Sequence, residues 1–157
     1  MFERIVLAVD SSDQARGAVA AAIDLAKKSR GEVLIVHVHD LGLTSRETVD
    51  LETLDEVRLL TQAVLDVVTK HGVEARSELR AAKSTDVAKE ILHAAKGFGA
   101  DAIVLGSRGL GEFAGVLLGS VAHRVIQLAG CPVVVVRADA AAAALHGRPE
   151  GKAVAAA

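Results

Sequence analysis

The chain has no tryptophan and no tyrosine, and only three phenylalanines in 157 residues. A flat ligand ring would find almost no aromatic surface to stack on. Its recognition would fall to aliphatic walls and backbone hydrogen bonds. There is a single cysteine, Cys131, which excludes an internal disulfide framework and fits a reducing, cytoplasmic setting. A basic excess is also missing. The formal net charge of −2 argues against nucleic acid or an anionic membrane surface as a partner. No apolar run approaches the ~20 residues of a membrane span. The opening segment Met1–Asp10 is too short and too acidic for a secretory leader and reads as a first strand. With 51% hydrophobic and 24% charged residues, the composition is that of one globular domain.

What is present is an alternation of two patterns. Arg4–Val9, Glu32–Asp40, Ala102–Leu105 and Cys131–Arg137 are short, nearly continuous apolar runs, the mark of strands buried on both faces. Val73–Ala81 alternates apolar with polar, which places it near a sheet edge. Between these runs lie segments of helical periodicity. One follows Ser11 and Gln14, a capping-box spacing, and stops at Ser29–Gly31 with a glycine in the usual C-terminal place. A second runs from about Val49 to His71, a third is capped by Ser84 or Thr85 and ends at Gly97–Asp101, and a fourth spans about Ser120 to Ala129. Pro132 sits at the start of the fifth strand, where a missing N–H is tolerated. The order β-α-β-α-β-α-β-α-β predicts an α/β fold: a doubly wound, five-stranded, mostly parallel sheet with helices on both faces. Residues 1–137 read as one domain. Residues 138–157 are alanine-rich and low in complexity, broken by Gly147, Pro149 and Gly151, and read as a disordered tail.

The fourth strand empties into the most flexible stretch of the chain, Gly106–Val121, which carries five glycines, an arginine and a serine that opens the fourth helix. In a doubly wound sheet ligands bind outside the carboxyl ends of the strands, near the switch in strand order. Glycines let the backbone approach a ligand, and the free N–H groups of a helix start suit an anion. Together they make a phosphate cradle. A Walker A loop is excluded because Leu118, not lysine, stands before Gly119–Ser120. Gly109–Ala114 matches G-x-G-x-x-A, but it follows the fourth strand and no acid lies about 20 positions on to take a ribose.

The spacing of the whole stretch is more specific. Gly106-x-x-Gly109, nine residues and then Gly119–Ser120 resembles the nucleotide-binding signature of the universal stress protein family. The first strand with its acidic turn (IVLAVDSS), the second strand (VLIVHVHD) and the closing strand (CPVVVVR) resemble that family too. The resemblance covers residues 1–137. It implies an adenine nucleotide, most naturally ATP, at the carboxyl edge, in a protein of stress response or signalling. It implies that Asp10 lies against the ribose, that Ala8 and Val9 line the adenine side, and that the backbone of Val38 pairs with the adenine edge. It implies that Gly106, Ser107, Arg108 and Gly109 surround the ribose and phosphates, and that Gly119, Ser120 and Val121 hold the phosphates. Magnesium or manganese would be carried on the phosphates rather than by the protein. The resemblance further implies a homodimer through the last strand, Val133, Val134, Val135 and Val136, a bare apolar edge that would otherwise invite aggregation. Two departures stand out: position 108 is Arg where some members have His, and "AAKSTD" (residues 81–86) lacks the family's G-x-P.

Plainer readings stand beside these. Asp10 is also a natural end-of-strand turn residue or helix cap, Arg108 a natural solvated loop charge, and Ser120 a natural cap. An ATPase or phosphotransferase on the same site would have to draw on Arg108 and Glu112, and a nucleotide-free interaction module is the remaining alternative. His37, His39 and Asp40 have the donor types of a metal site, but the sequence offers no clear further ligand. His37 sits mid-strand like a core residue. Cys131, beside a buried strand with no adjacent lysine, reads as structural rather than nucleophilic.

Overall fold

Strands that are apolar on both faces require cover on both faces, and the sheet receives it. The computed structural model describes residues 2–12, 14–41, 53–107 and 118–137. In chain order these form β1 (Arg4–Ala8), α1 (Gln14–Ser29), β2 (Glu32–Asp40), α2 (Leu54–Lys70) and β3 (Glu74–Ala82). A 3-10 turn (Ser84–Asp86), α3 (Val87–Phe98), β4 (Ala102–Gly106), α4 (Ser120–Leu128) and β5 (Val133–Val136) follow. The sheet order is β3-β2-β1-β4-β5 and every neighbouring pair is parallel. The chain winds outward from β1 through β2 to β3, then crosses back to β4 on the other side of β1. The switch in winding therefore lies between the carboxyl ends of β1 and β4.

Strand alternation divides the core into two layers. Ile5, Leu7, Val33, Ile35 and Val104 pack on α1 and α2. Val6, Leu34, Val36, Ile103 and Leu105 pack on α3 and α4. Complete burial of such side chains stabilises by roughly 1.5–3 kcal/mol each, which makes this double layer the main source of stability. The two edges differ in kind. β3 presents charge: Arg80 bridges Glu78 at 2.6 Å and Glu90 of α3 at 2.9 Å, and the Arg76 guanidinium lies 4.8 Å from the Phe98 ring centre. β5 presents four half-buried valines.

Helix ends depart from the sequence reading in four places. Gln14 is the first residue of α1, not the third of a box opened by Ser11, and the Ser12 carbonyl accepts the Ala15 N–H at 3.1 Å. At the other end of α1 the left-handed residue is Arg30, φ 56°, not the glycine. Gly31 closes the turn by donating to the Ala26 carbonyl at 2.9 Å, and it is required for space: a Cβ there would stand 2.6 Å from the Phe2 carbonyl oxygen and 2.8 Å from that of Glu3. α2 begins at Leu54, with Thr53 and Glu56 forming a reciprocal capping box, and residues 49–52 lie outside the described residues. Ser84 and Thr85 belong to the 3-10 turn rather than capping α3, whose N-cap is Asp86; its carboxylate makes no cap bond to the helix backbone and accepts instead from the Lys89 ammonium.

Candidate functional site

β1 ends while β2 continues, and this makes a notch. The last bond between them runs from the Val9 N–H to the Val36 carbonyl at 3.0 Å. In a parallel ladder alternate residues of a strand turn both N–H and C=O to the same neighbour. Val38, two residues beyond Val36, therefore turns its backbone to the side that β1 has already left. Ala8 and Val38 both pack against the α3–α4 layer of the core, as do Leu118 and Val121 from the start of α4. Three elements thus supply one aliphatic wall at the carboxyl edge. Val9 is buried on the opposite, α1–α2 side.

Asp10 follows at once. One carboxylate oxygen, Oδ1, accepts from the Ser12 N–H at 3.1 Å and from the Ser12 hydroxyl, which is the local Asx-type turn that aspartate favours. The turn-residue reading is thus realised in part. The second oxygen, Oδ2, takes no hydrogen bond among the described residues.

Across the switch point, Gly106 ends β4 and Ser107 prolongs its ladder, donating its N–H to the Val136 carbonyl at 2.8 Å. The Ser107 carbonyl then accepts the Gly119 N–H at 2.6 Å. This contact ties the two ends of the glycine-rich stretch together and seats the amino end of α4 on the carboxyl end of β4. Ser107 is 3% exposed, and its hydroxyl makes no hydrogen bond among the described residues. The Ile103, Leu105, Ser107 alternation turns it toward the α4 side of the sheet. Gly119 is the N-cap of α4 and so offers no side-chain acceptor. The amides of Val121 and Ala122 take no protein partner among the described residues. Ser120 is exposed at the helix start. Arg108, Gly109 and Glu112 lie outside the described residues.

The remaining candidates separate from this place. His37 is 2% exposed in the middle of β2, and no group of three or more His, Cys, Asp or Glu among the described residues is arranged to hold a metal ion. Cys131 is half-buried; burial first, and the nearby Asp101 charge second, push its thiol above the usual range. An open cleft of about 620 Å³ lies at the opposite, amino end of the sheet between Arg4, Lys27, Arg30, Glu32 and Glu74, away from Asp10, Val38, Ser107 and the start of α4. Among the described residues no helix is long and apolar enough to cross a membrane.

A parallel doubly wound sheet with a polar cradle at its switch point defines the class: a Rossmann-like α/β protein. Within that class, the model of the universal stress protein family matches residues 1–137, and the chain belongs to this family. It is 34% identical over 151 aligned positions to universal stress protein YxiE of Bacillus subtilis, covering 87% of this chain and 100% of that protein. A universal stress protein of Thermus aquaticus is 34% identical over 145 positions, covering 87% of this chain and 100% of the relative. Among solved structures, a universal stress protein from Archaeoglobus fulgidus superposes with a TM-score of 0.69 at 28% identity, covering 87% of this chain and 99% of that one. A structure of the Archaeoglobus fulgidus universal stress protein in complex with dAMP superposes with a TM-score of 0.65 at 26% identity, covering 87% of this chain and 98% of that one.

Proposed function

We propose that this universal stress protein binds an adenine nucleotide, ATP foremost, at the carboxyl edge of its sheet and acts in cytoplasmic stress signalling. One observation carries the reading. The Gly119–Ser107 hydrogen bond brings an uncapped helix start against the switch point, where unpaired backbone N–H groups and the partial positive charge of the helix suit a phosphate. The nucleotide-bound relative from Archaeoglobus fulgidus supports the choice of adenine.

Each neighbouring group has a task the chemistry allows. Ala8 and Val38 supply aliphatic surface for the base, and the outward backbone of Val38 supplies a donor and an acceptor for its edge. Val9 lines the adenine side through its backbone, its side chain being buried in the α1–α2 layer. Oδ2 of Asp10 is an acceptor for ribose hydroxyls, and the Ser107 hydroxyl is a donor and acceptor for the sugar and phosphates. Gly106, Arg108 and Gly109 complete the loop, and Gly119, Ser120 and Val121 present the helix start. The residues fit an adenosine polyphosphate. Magnesium or manganese would be held by the phosphates.

The same reading makes the protein a homodimer through Val133–Val136. β3 is blunted by Arg76, Glu78 and Arg80, whereas β5 is an unblunted valine edge, the kind that pairs with another strand. Residues 1–137 form the working domain.

The test is a calorimetric melt with about 1 mM ATP, ADP, AMP, cyclic AMP or GTP. A dissociation constant near 10 μM would add ~2.7 kcal/mol, raising the melting temperature by roughly 5–10 °C for a chain of this size. Adenine nucleotides are expected to raise it and GTP to raise it less. No shift with any adenine nucleotide would overturn the reading. Sedimentation at the same concentration should give twice the chain mass; a monomer would remove the dimer.

A further inference from the structure

The first turn of α4 carries charge of the wrong sign for a helix start. Negative side chains stabilise that end and positive ones oppose the helix dipole. α2 follows the rule with Asp55 and Glu56 in its first turn, and α3 has Glu90, while α1 has no acid in its first turn and carries Arg16 there. α4 has no acid there. Instead His123 and Arg124 stand three and four positions after Ser120, and all three are exposed. Ala122 and Val125, on the other side of the helix, are buried. Residues at i, i+3 and i+4 share a face, and side chains on a helix lean back toward its amino end. The guanidinium of Arg124 and the imidazole of His123 therefore cover the solvent side of the turn that Ser120 opens. Neither has an ion-pair or hydrogen-bond partner for its side chain among the described residues. A second feature of the same place points to a ligand independently: the hydroxyl of the buried Ser107, without a hydrogen bond, on the α4 side of the sheet beside Gly119.

We propose that Arg124, with His123 beside it, reads the outer phosphates of the bound nucleotide, so that affinity rises from AMP through ADP to ATP. The inference rests on the nucleotide reading of the site. The aliphatic notch and Asp10 face the nucleoside and cannot count phosphates. The helix amides meet the innermost phosphate. The charge that a longer phosphate chain adds has to be met further out, over the exposed face of the first turn. A guanidinium there pairs with phosphate oxygens through two parallel N–H bonds.

The experiment is titration calorimetry of the full chain with ATP, ADP and AMP in EDTA, so that no divalent ion bridges the phosphates. The wild type is expected to prefer ATP over AMP. In Arg124→Ala, ATP affinity should fall about tenfold, the size of a charge-assisted contact, while AMP affinity changes by less than about twofold. Arg124→Glu should reverse the preference, Arg124→Lys should keep most of it, and His123→Ala should give a smaller loss of the same kind. Arg124 is exposed, so these variants fold, and a melt without ligand verifies it. An unchanged ATP-to-AMP ratio in Arg124→Ala and Arg124→Glu overturns the proposal and leaves the site reading intact. Equal losses for ATP and AMP also overturn it, because Arg124 would then only support the helix end. Failure of the wild type to bind any of the three removes the site reading and this proposal with it.

Discussion

The two ends of the sheet treat their polar groups in opposite ways. At the amino end the backbone groups at the strand starts are used internally, beside the open cleft lined by Arg4, Lys27, Arg30, Glu32 and Glu74. The Asp101 carboxylate accepts the N–H groups of Glu3 at 2.8 Å and Arg4 at 3.2 Å, while the Asp101 N–H returns to the Arg4 carbonyl at 2.9 Å. The Ser29 hydroxyl donates to the Phe2 carbonyl at 2.6 Å, and Glu32 donates to the Glu3 carbonyl at 2.8 Å. At the carboxyl end the Asp10 Oδ2, the Ser107 hydroxyl and two amides of α4 have no protein partner among the described residues. A chain that ties up its strand starts at one end and leaves strand-end and helix-start groups open at the other is not short of acceptors. It keeps the open groups where the winding switches, as a ligand site does when local rules are relaxed for function.

The comparison is broken most strongly from the amino end. Gly31→Ala drives a methyl group against two backbone carbonyls that cannot swing away, at 2.6 and 2.8 Å. Overpacking of this kind costs typically ~1–3 kcal/mol. The expected result is a melting temperature lowered by several degrees, with the affinity of the folded fraction for ATP unchanged. A loss of affinity at unchanged stability would mean that the two ends are not separate in their roles.

A smaller effect is expected where one helix start is closed and another left open. The Thr53 hydroxyl of α2 accepts the Glu56 N–H at 3.2 Å, and the Glu56 carboxylate accepts the Thr53 N–H at 2.7 Å. Thr53→Ala should cost about 1 kcal/mol. The Thr53 backbone N–H, and then its hydroxyl, hold the Glu56 carboxyl below its ordinary value of 4.5. A carboxyl whose folded pKa is depressed stabilises the fold above its unfolded pKa, and that contribution fades as pH falls through the folded value. The gap in melting temperature between wild type and Glu56→Gln should therefore be full at pH 7 and shrink in acid below 4.5. A gap that is constant with pH would mean the charge contributes nothing.

How much of this was legible in the sequence depends on how local each signal is. Strands such as Ile5–Leu7 and Ile103–Leu105 were readable because burial on both faces leaves no polar positions, and β3 was readable as an edge by its alternation. The helix start at Gly119–Ser120 is readable from the end of the G-x-x-G, nine, G-S spacing, whose Gly109 lies outside the described residues. The other helix ends were less so. Arg30 takes the left-handed position because Gly31 is needed against the Phe2 and Glu3 carbonyls, a contact made far from α1 in sequence. Thr53-x-x-Glu56 is a capping box visible in the sequence, but the apolar pattern of α2 continues back toward Val49 and hides the helix start. The basic pair His123–Arg124 just after the helix-opening serine was a visible signal too. Its meaning depended on seeing that the neighbouring amides and the Ser107 hydroxyl stay open.

The smallest expected change in stability makes the sharpest test of the comparison. Ser107 is as buried as a core residue, and replacing a buried, hydrogen-bonded serine would ordinarily destabilise. Its hydroxyl, however, has no bond to lose among the described residues. Ser107→Ala should therefore alter stability by less than about 0.5 kcal/mol, because both backbone bonds of residue 107 remain. If the open groups exist for a ligand, the same variant should bind ATP several-fold more weakly while melting like the wild type in its absence. A clear drop in the ligand-free melting temperature would mean that Ser107 serves the fold, and the carboxyl end would then differ from the amino end in degree rather than in purpose.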